Sequence, residues 1–383
     1  MLFRRYINCP LCFEHIKISD IGFKCESPGC KGKPAFFRPQ NGIPPLEKMG
    51  LKSAPKRYPH ECGNFATARI CPKCQQEIPT DVDELSDMSI AIIGAKESGK
   101  SHYVAMLIYW IKRMGAEFGW NLTALTETTI DRYEQEFRRP LFDKHESIRS
   151  TNLVRGAGQV SPLIYSLSIG KGLLSRRIML VFFDAAGENL EDNGNIQYIS
   201  RYIYNASGII CLLDPLQLVR VREALVSKHG EGALPEKNAE TGTIINRVER
   251  LLRKNLDIGG GRIKIPLAVA FSKMDFVREA GDNAAGVYDE LFKDTRHHGA
   301  FCEPEFENID GLMRSWVQEV DVSADILAQS ENFEKNAFFG FSALGCNPKG
   351  NGERLDRDPR SFRVEDPFLW LLRQKGLIKV MKG

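Results

Sequence analysis

The sequence predicts an α/β fold with a mostly parallel central sheet, preceded by a small cysteine-rich module. From Met88 onward, apolar runs of strand length alternate with amphipathic helical stretches, which is typical of parallel α/β domains. One apolar run leads directly into the glycine-rich stretch GAKESGKS at residues 94–101. Seven of the ten cysteines lie within the first 74 residues. These three observations define the fold class.

Composition divides the chain into two parts. We expect residues 1–80 to form a cysteine-rich, metal-binding module, because they contain many Gly and Pro residues and little continuous apolar pattern. A short acidic connector, residues 75–87, leads to a domain that we expect to span 88–383. That domain carries two segments beyond a minimal α/β unit, at about 116–160 and 276–335, both expected to be partly helical.

The charge is distributed unevenly over a chain that is 43% hydrophobic and 26% charged, as in ordinary globular proteins. Residues 1–74 contain thirteen Lys and Arg against five Asp and Glu, whereas the remainder contains 39 against 44. The basic module could attract nucleic acid or an acidic partner. It could equally be a solvated face around metal-bound thiolates.

The first residues, MLFRRYINCPLC, reach a cysteine pair before any apolar run, so we expect no secretory signal. The longest apolar runs, at 178–183 and 208–213, have strand length and are too short to span a bilayer. We therefore expect a cytoplasmic protein without a membrane span.

The first elements of the larger domain are a strand, a loop and a helix. Residues 88–94 read as a buried strand, and 98–115 as a helix with Met106, Leu107, Trp110 and Ile111 on one face. The later elements are predicted from the same periodicities: hairpin strands flanking residues 171–175, a helix at 196–205, strands at 207–215, 265–275 and 336–345, and helices at 240–256 and 366–376.

The stretch GAKESGKS has the chemistry of a phosphate-binding loop. Backbone N–H groups and the dipole of the following helix can hold phosphates. Lys100 would neutralise the β- and γ-phosphates, and the Ser101 hydroxyl would ligate Mg²⁺. Asp184 ends an apolar strand and is the expected acidic residue beside the metal. Gly187 could direct a backbone N–H toward a γ-phosphate.

Four short motifs carry a family resemblance. GAKESGKS, DAAG (184–187), SKMD (272–275) and SAL (342–344) occur in the order, and at the strand ends, of the G motifs of Ras-like, translation-factor-class GTPases. The resemblance covers roughly residues 88–376. It implies a P-loop GTPase fold.

The resemblance also implies a nucleotide site. Asp275 would accept hydrogen bonds from guanine N1 and N2, which favours GTP over ATP because adenine lacks that donor pair. Lys273 would lay its stem along the base, and the Ala343 N–H would meet the guanine carbonyl. The implied nucleotide-binding set is Gly94, Glu97, Ser98, Gly99, Lys100, Ser101, His102, Ser272, Lys273, Asp275, Ser342, Ala343 and Leu344.

Three positions depart from the Ras-like pattern. Ser272 stands where Asn or Thr is usual. Lys96 replaces a glycine close to the γ-phosphate, where it could obstruct an activator or act as a built-in cation resembling an arginine finger. Glu188 replaces a water-orienting glutamine, so repulsion from the γ-phosphate would make hydrolysis slow without an activator. Glu188 could also be a general base or point into solvent.

The switch I threonine, which should complete the Mg²⁺ shell, is less clear in the sequence. We assign it to Thr151, which lies closest to the second strand, and Thr126, Thr128 and Thr129 are competitors. A domain that binds nucleotide without turnover, or binds nothing, is the alternative to a working GTPase.

The cysteines resemble the paired knuckles of zinc ribbons. Cys9-Pro-Leu-Cys12 and Cys71-Pro-Lys-Cys74 are two such knuckles, and Cys25-x4-Cys30 and His60-x-Cys62 add two pairs. Eight candidate ligands predict two Zn²⁺ sites. Nested, sequential and crossed pairings all satisfy the spacing; we favour the two knuckles sharing one zinc.

The other zinc would then take Cys25, Cys30, Cys62 and His60, with His15 as a rival ligand. Both sites should be structural rather than catalytic, because no HExxH or HxE pattern accompanies them. We expect His297 and His298, near Cys302, to form an exposed polar turn.

The whole architecture is similar to bacterial translation-factor-class GTPases with cysteine-rich N-termini, a group associated with conflict or defence systems. It implies a GTP-binding, GTP-hydrolysing switch with Mg²⁺, coupled to a zinc adaptor that contacts a protein partner. The alternative is a nucleic-acid-binding zinc module whose G domain only gates assembly, with bases stacking on Tyr6, Phe23, Phe36, Phe37 and Tyr58. An ATPase is the third possibility.

Overall fold

The structure, a computed structural model, is organised around one seven-stranded sheet. The residues that it describes are 6–28, 30, 57–148, 161–170, 175–183, 196–230, 234, 241–279, 289–346, 348 and 354–382.

The described strands, in chain order, are β1 (Tyr6–Asn8), β2 (His15–Lys17), β3 (Gly22–Lys24), β4 (Tyr58–Pro59), β5 (Phe65–Ala66), β6 (Ala68–Ile70), β7 (Glu77–Ile78), β8 (Ser86–Gly94), β9 (Trp120–Ala124), β10 (Leu163–Ile169), β11 (Arg176–Phe182), β12 (Gly208–Leu213), β13 (Leu267–Phe271), β14 (Phe301–Cys302), β15 (Asn336–Gly340) and β16 (Val380–Met381).

The described α-helices are α1 (Lys100–Met114), α2 (Glu127–Arg132), α3 (Ile196–Tyr204), α4 (Val219–His229), α5 (Thr241–Leu256), α6 (Met274–Glu279), α7 (Glu303–Val320), α8 (Asp325–Ser330) and α9 (Asp366–Gln374). A π-helical segment, Tyr133–Asp143, continues α2, and short 3₁₀ turns occur at Ile18–Asp20, Pro215–Gln217 and Asp289–Phe292.

The central sheet has the strand order β15-β13-β12-β8-β11-β10-β9. The five strands from β15 to β11 are parallel to their neighbours, whereas β10 pairs antiparallel with both β11 and β9. The predicted α/β class and mostly parallel sheet are confirmed. The predicted hairpin is also found, with Leu163 opposite Phe182 and Ile169 opposite Arg176.

The strands of this sheet are buried on both faces. In β8, Ile90 and Ile92 join the apolar cluster on one face, and Ala91 and Ile93 join the cluster on the other. Helices cover both faces of parallel sheets, so such strands lose the polar alternation of half-exposed strands. This explains why β8 reads as a continuous apolar run.

Helix α1 is more buried than the sequence predicts. Met106, Leu107 and Ile111 are buried as expected, and Tyr103, Val104, Ala105 and Ile108 are buried too, whereas Trp110 is only half-buried. The one-face prediction fails because the π-helical segment covers the outer side of α1, where the Tyr133 hydroxyl donates to the Ala105 carbonyl at 3.4 Å.

Both extra segments are partly helical, as expected. The first holds α2 and the π-helical segment, and the second holds α7 and α8. Among the described residues, the elements that the sequence did not predict include the edge strand β9, and α4 between β12 and α5. Strand β9 is short and half-exposed, so its apolar signal is weak.

The histidine pair near Cys302 is a correction. His298 is exposed, as expected for a polar turn, but His297 is only 3% exposed. Its ring stacks on Phe301 with centroids 5.0 Å apart, and its Nδ1 accepts the Cys302 N–H at 2.9 Å. Its Nε2 also lies 3.7 Å from a carboxylate oxygen of Asp366, and a local sequence pattern does not predict contact with a residue so far along the chain.

The cysteine-rich module packs against the sheet domain. Apolar side chains such as Ile7, Phe13 and Ile78 join the cluster on one face of the central sheet. The Asn8 N–H donates to an Asp87 carboxylate oxygen at 3.1 Å at the start of β8. The acidic connector is itself packed, since Leu85 is fully buried. The two parts therefore share one apolar core.

Within the described ranges, no helix combines the length and apolarity that crossing a membrane requires.

Candidate nucleotide site and metal centres

The phosphate-loop candidate connects β8 to α1 at the carboxyl edge of the parallel strands. Glu97 (φ 62°) and Gly99 (φ 88°) both adopt the left-handed conformation, which turns the chain tightly into the helix. Helix α1 begins at Lys100 without a side-chain cap. Its first N–H groups and its dipole thus have the arrangement that suits an anion.

Gly94 is required by close packing rather than by its backbone angles. A Cβ at this position would lie 2.5 Å from Ser98 Oγ and 2.6 Å from the Leu212 carbonyl of β12. Only glycine allows the loop to leave β8 so close to the neighbouring strand.

Lys100 lies inside the loop. Its side chain is held by the Gly94 carbonyl at 3.0 Å and the Ala95 carbonyl at 2.7 Å, and the residue is 7% exposed. A buried ammonium held by carbonyl groups favours a nearby negative charge. Lys96 and Glu97, in contrast, are exposed at the tip of the loop.

The SKMD segment contacts the phosphate loop. A Cβ at Gly99 would lie 3.8 Å from Ser272 Cβ. The Ser272 N–H donates to the Leu213 carbonyl at 3.0 Å, and its hydroxyl donates to the same oxygen at 3.4 Å. The structure therefore brings two of the four motifs together at the ends of β8, β12 and β13.

The SAL segment lies beside Asp275. The Ser342 hydroxyl accepts the Gly345 N–H at 2.8 Å and is close enough to the Asp275 carboxylate to influence its pKa. Burial raises the pKa of Asp275, and the Ser342 hydroxyl opposes that shift. Ala343 is buried and Leu344 is half-buried on the same turn. Three of the four motifs therefore converge on one edge of the sheet.

The fourth motif cannot be located, because Asp184, Gly187 and Glu188 lie outside the described residues, as does Thr151. Phe183, the residue before Asp184, is described and buried. Ser101 is half-buried in the first turn of α1, next to Lys100. Of the expected Mg²⁺ ligands, the Ser101 hydroxyl is therefore the described one, and its chemistry and position fit the metal.

The competing threonines have structural roles or lie on the surface. Thr126 caps α2 by accepting the Thr129 N–H at 3.1 Å, and the Thr129 hydroxyl accepts the Ile164 N–H at 3.0 Å. Thr128 is exposed on α2. Thr126 and Thr129 therefore have structural roles, and Thr128 lies on the surface. The assignment of the switch I threonine to Thr151 stays a prediction.

His102 binds the segment that precedes residue 149. The Ile148 N–H donates to His102 Nε2 at 3.1 Å, and Ser147 Oγ lies 3.0 Å from the same atom. A nitrogen that accepts cannot carry a proton. Burial, together with the nearby Lys273 ammonium, lowers the pKa of His102 to about 4, which keeps the ring neutral.

The cysteine knuckles form the first metal-ligand cluster, Cys9, Cys12, Cys71 and Cys74. The Sγ atoms of Cys9 and Cys74 are 4.0 Å apart, and those of Cys12 and Cys71 are 3.9 Å apart. A tetrahedral Zn²⁺ with Zn–S distances of about 2.3 Å requires sulfur separations of about 3.8 Å. We call this set the inner cluster.

The remaining ligands form the outer cluster, Cys25, Cys30, His60 and Cys62. Cys25 and Cys62 Sγ are 3.6 Å apart, and His60 Nδ1 lies 3.5 Å from Cys30 Sγ. These distances also fit a tetrahedral zinc. The grouping is the one that we favoured among the possible pairings. The rival ligand His15 instead contacts Asn8 Oδ1 at 3.0 Å.

The two clusters differ in burial. Cys9 and Cys71 are fully buried, whereas Cys62 is exposed. Hydrogen bonds among the inner thiols raise the pKa of Cys9 and lower the pKa of Cys71. Close packing therefore favours a thiolate within the inner cluster, which is the form that binds zinc.

Of the three described aromatic residues proposed to stack on bases, Phe23 is buried, Tyr58 is half-buried and Tyr6 is exposed. Phe23 is 2% exposed and packs against Tyr58 with ring centroids 5.7 Å apart. Tyr6 is exposed, and Phe36 and Phe37 lie outside the described residues. Arg69 is buried in an ion pair with Asp83. The nucleic-acid hypothesis stays untested for the rest of the module.

A contact that the sequence did not predict joins the inner cluster to α3, the helix that follows the DAAG motif. Phe13, next to Cys12, packs against Phe183 and Tyr202 with ring centroids 5.9 and 4.9 Å away. The Asn205 side-chain amide donates to the Phe13 carbonyl at 2.7 Å. The positive φ of Phe13 (58°) is invisible in sequence, so no pattern could have found this contact.

Asp214 is a second residue that the motif search missed. It follows β12 directly and accepts the Lys273 ammonium at 2.7 Å. A carboxylate at the end of a buried strand beside the phosphate-loop strand was the available signal.

The comparisons with known proteins point to one family. The sequence model of a family described as Double-GTPase 2 matches residues 88–323. A protein of Mycolicibacterium smegmatis, described as "Putative ESX-1 scaffolding and assembly protein SaeC", is 28% identical over 328 residues, which cover 81% of this chain and 80% of that protein.

Two similar solved structures are Sup35 complexed with GDP and the GTPase-like domain of S. cerevisiae Ski7 bound to GTP. Sup35 has a TM-score of 0.23 and 13% identity, with 71% of this chain and 40% of that chain covered. Ski7 has a TM-score of 0.31 and 12% identity, with 78% and 52% covered. The chain thus spans about half or less of both proteins.

Proposed function

Because residues 88–323 match its model, this chain belongs to the Double-GTPase 2 family, and from this premise we propose that it is a GTP-hydrolysing switch coupled to a zinc adaptor. The observation that carries the proposal is the meeting of the phosphate loop, the SKMD segment and the SAL segment at one edge of the parallel sheet. Ligands bind at this edge in open α/β sheets.

Guanine selectivity is supported by the surroundings of Asp275. The carboxylate is half-buried, which raises its pKa, whereas the Ser342 hydroxyl and the backbone at residues 275 and 276 favour its charged form. A half-buried carboxylate held in this way binds a base with two adjacent N–H donors and rejects a base that lacks them. This reasoning supports GTP rather than ATP.

We assign the metal role at this site to Mg²⁺, held by Ser101 together with Asp184 and Thr151. When bound, Mg²⁺ offsets the charge of the β- and γ-phosphates. Lys100 supplies the second positive charge from within the loop. The Gly187 N–H would contact the γ-phosphate, and Glu188 in place of glutamine makes turnover slow without an activator. Lys96 is exposed at the loop tip, from which it would approach the γ-phosphate or contact an activator.

Coupling between the two parts is supported by the Phe13 contact. Tyr202 on α3 hydrogen-bonds β8 through the Ile90 carbonyl and the Ile92 N–H, and it also accepts the Phe183 N–H at 3.3 Å. The same ring packs against Phe13 of the zinc knuckle. A nucleotide-dependent shift of α3 would therefore displace the module, and Zn²⁺ would keep the module rigid enough to transmit it.

The partner proposed for this switch is a protein. The M. smegmatis relative is named as a scaffolding and assembly protein, and this chain covers most of its length. We therefore propose that the GTP-bound state promotes assembly of a protein complex. A role in a conflict or defence system, and nucleic-acid binding by the basic module, remain predictions.

Calorimetry with the purified, zinc-replete chain tests the nucleotide proposal. We expect GTP and GDP to bind in the presence of Mg²⁺ and ATP not to bind. Lys100→Ala should abolish binding, and Asp275→Asn should remove the preference for guanine. Equal binding of ATP and GTP would contradict guanine selectivity. Absence of binding to every nucleotide would overturn the switch itself.

A further inference from the structure

Asp214 is a buried carboxylate beside the proposed guanine site. Its side chain is 4% exposed, and both oxygens have partners. Oδ1 accepts the Leu216 N–H at 3.0 Å, and Oδ2 binds Lys273 Nζ at 2.7 Å. A buried charge is retained only when such partners compensate its lost hydration.

Lys273 needs an anchor for two reasons. Its backbone has a positive φ of 54°, a conformation that non-glycine residues adopt only when their surroundings impose it. Its side chain is long and 31% exposed, so an unanchored stem would sample many rotamers. A stem that lies along a base must give up that freedom, and anchoring it beforehand strengthens binding.

The backbone of the same segment is attached to the same strand end. Ser272 binds the Leu213 carbonyl, the residue before Asp214, through both its N–H and its hydroxyl. On the opposite side, the Met274 N–H donates to the Phe341 carbonyl at 3.2 Å. Lys273 therefore lies between two backbone attachments, and Asp214 fixes the remaining freedom, that of the side chain.

We propose that Asp214 is a positioning residue for guanine recognition, which acts by holding the Lys273 side chain in place for the base. This inference rests on the proposed function. The competing role is purely structural, since Asp214 also caps the turn at Pro215–Gln217 through the Leu216 N–H. The two roles use different oxygens, so they can be separated.

Asp214→Asn separates them in the full, zinc-replete chain. The amide oxygen can still accept the Leu216 N–H, but the amide nitrogen cannot accept from Lys273. We expect the Kd values of GTP and GDP to rise about tenfold. At saturating GTP, we expect kcat to change less than about twofold, because the base does not take part in the chemistry.

The matched control is Asp321→Asn. Asp321 is a 7% exposed carboxylate that caps α8 by accepting the Ile326 N–H at 2.9 Å. It is remote in sequence from every proposed nucleotide-binding residue and tests the loss of a buried carboxylate alone. We expect unchanged Kd values for both nucleotides.

A double-mutant cycle with Lys273→Met completes the test. If Asp214 acts through Lys273, Asp214→Asn added to Lys273→Met causes no further rise in Kd. Should Asp214→Asn alone fail to fold, Lys273→Met removes the same ion pair from the other side: we expect it to raise the Kd of GTP and GDP, and the double variant to show no further rise.

Two results would overturn the inference: an unchanged Kd in Asp214→Asn, or a full additional rise in the double variant. Both leave guanine binding by the wild-type chain intact. If the wild-type chain itself binds neither GTP nor GDP, the proposed function fails, and Asp214 then has no guanine to position.

Discussion

At the scale of single residues, His102 connects the helix of the phosphate loop to the chain before residue 149. Its Nε2 accepts the Ile148 N–H, so the contact exists only while that nitrogen is unprotonated. The pKa of His102, lowered to about 4 by burial and by Lys273, maintains this state at neutral pH. One side chain thus makes local folding depend on pH.

The first prediction concerns this pH dependence. The unfolded pKa is about 6.5, so between pH 6.5 and pH 4 the unfolded chain binds a proton that the folded chain does not. The contribution of His102 is fully present above pH 6.5 and is lost as the pH falls to 4. Allowing for partial exposure, we expect a loss of about 2 kcal/mol.

This pH-dependent loss of stability is measured by urea unfolding of the wild-type chain and of His102→Gln at pH 7, 5 and 4. Glutamine can accept the Ile148 N–H but does not titrate in this range. We expect a smaller loss of stability in acid for His102→Gln. Every other side chain is the same in the two proteins, so its contribution cancels in the comparison. If the free energy of unfolding fell equally with pH in the two proteins, His102 would not be the source of the pH dependence.

At the scale of elements, the loop between β8 and α1 needs glycine at two positions for different reasons. A Cβ at Gly94 would lie 2.6 Å from the Leu212 carbonyl of β12, so close packing requires glycine at this position. Gly99 has a φ of 88°, and a Cβ there would make only an ordinary van der Waals contact with Ser272. The left-handed backbone conformation therefore favours glycine at this position. The motif has glycine at both positions, although the physical reason for glycine differs between them.

The second prediction compares Gly94→Ala with Gly99→Ala. A methyl group at Gly94 would force β8 and β12 apart, and we expect a loss of about 3 kcal/mol or more. A methyl group at Gly99 carries only the cost of the left-handed conformation, about 1–2 kcal/mol. Denaturant unfolding of the nucleotide-free chains gives both values. Equal losses would show that the Leu212 contact relaxes.

At the scale of the whole molecule, the inner and outer clusters differ in what they stabilise. The inner cysteines belong to the apolar core that also includes the central sheet. The outer cluster is at the surface of the module, with Cys62 exposed. Loss of inner zinc should therefore propagate to the sheet domain, whereas loss of outer zinc should remain local.

The third prediction is that Cys71→Ser and Cys62→Ser have unequal effects. We expect Cys71→Ser to lower the unfolding temperature by about 10 °C and Cys62→Ser by less than about 3 °C. Calorimetry measures both. Only Cys71→Ser should also accelerate GDP dissociation several-fold, because it releases Phe13 from α3.

Zinc release to a colorimetric chelator supplies the control, and we expect the outer metal to leave first. Each serine variant should retain one zinc per chain. Equal shifts in unfolding temperature would contradict the shared core, and unchanged GDP dissociation in Cys71→Ser would contradict coupling through Phe13.

Local patterns in the sequence specify many of the elements and the chemistry of the candidate sites. Spacing singled out the candidate phosphate loop from Gly94 to Ser101 and eight candidate zinc ligands. Apolar periodicity located six of the seven strands of the central sheet, because burial on both faces leaves a continuous signal. The family match then confirmed the resemblance to GTPases.

The contacts between distant residues depend on the tertiary structure. The fold groups the candidate zinc ligands in one of several possible ways and buries His297 although it lies beside an exposed histidine. It also brings Phe13 to Tyr202 and Asp214 to Lys273. Spacing along the chain specifies which groups can coordinate or cap, but partners separated by many residues are chosen by how the layers pack. That choice depends on the whole fold, and no local pattern contains it.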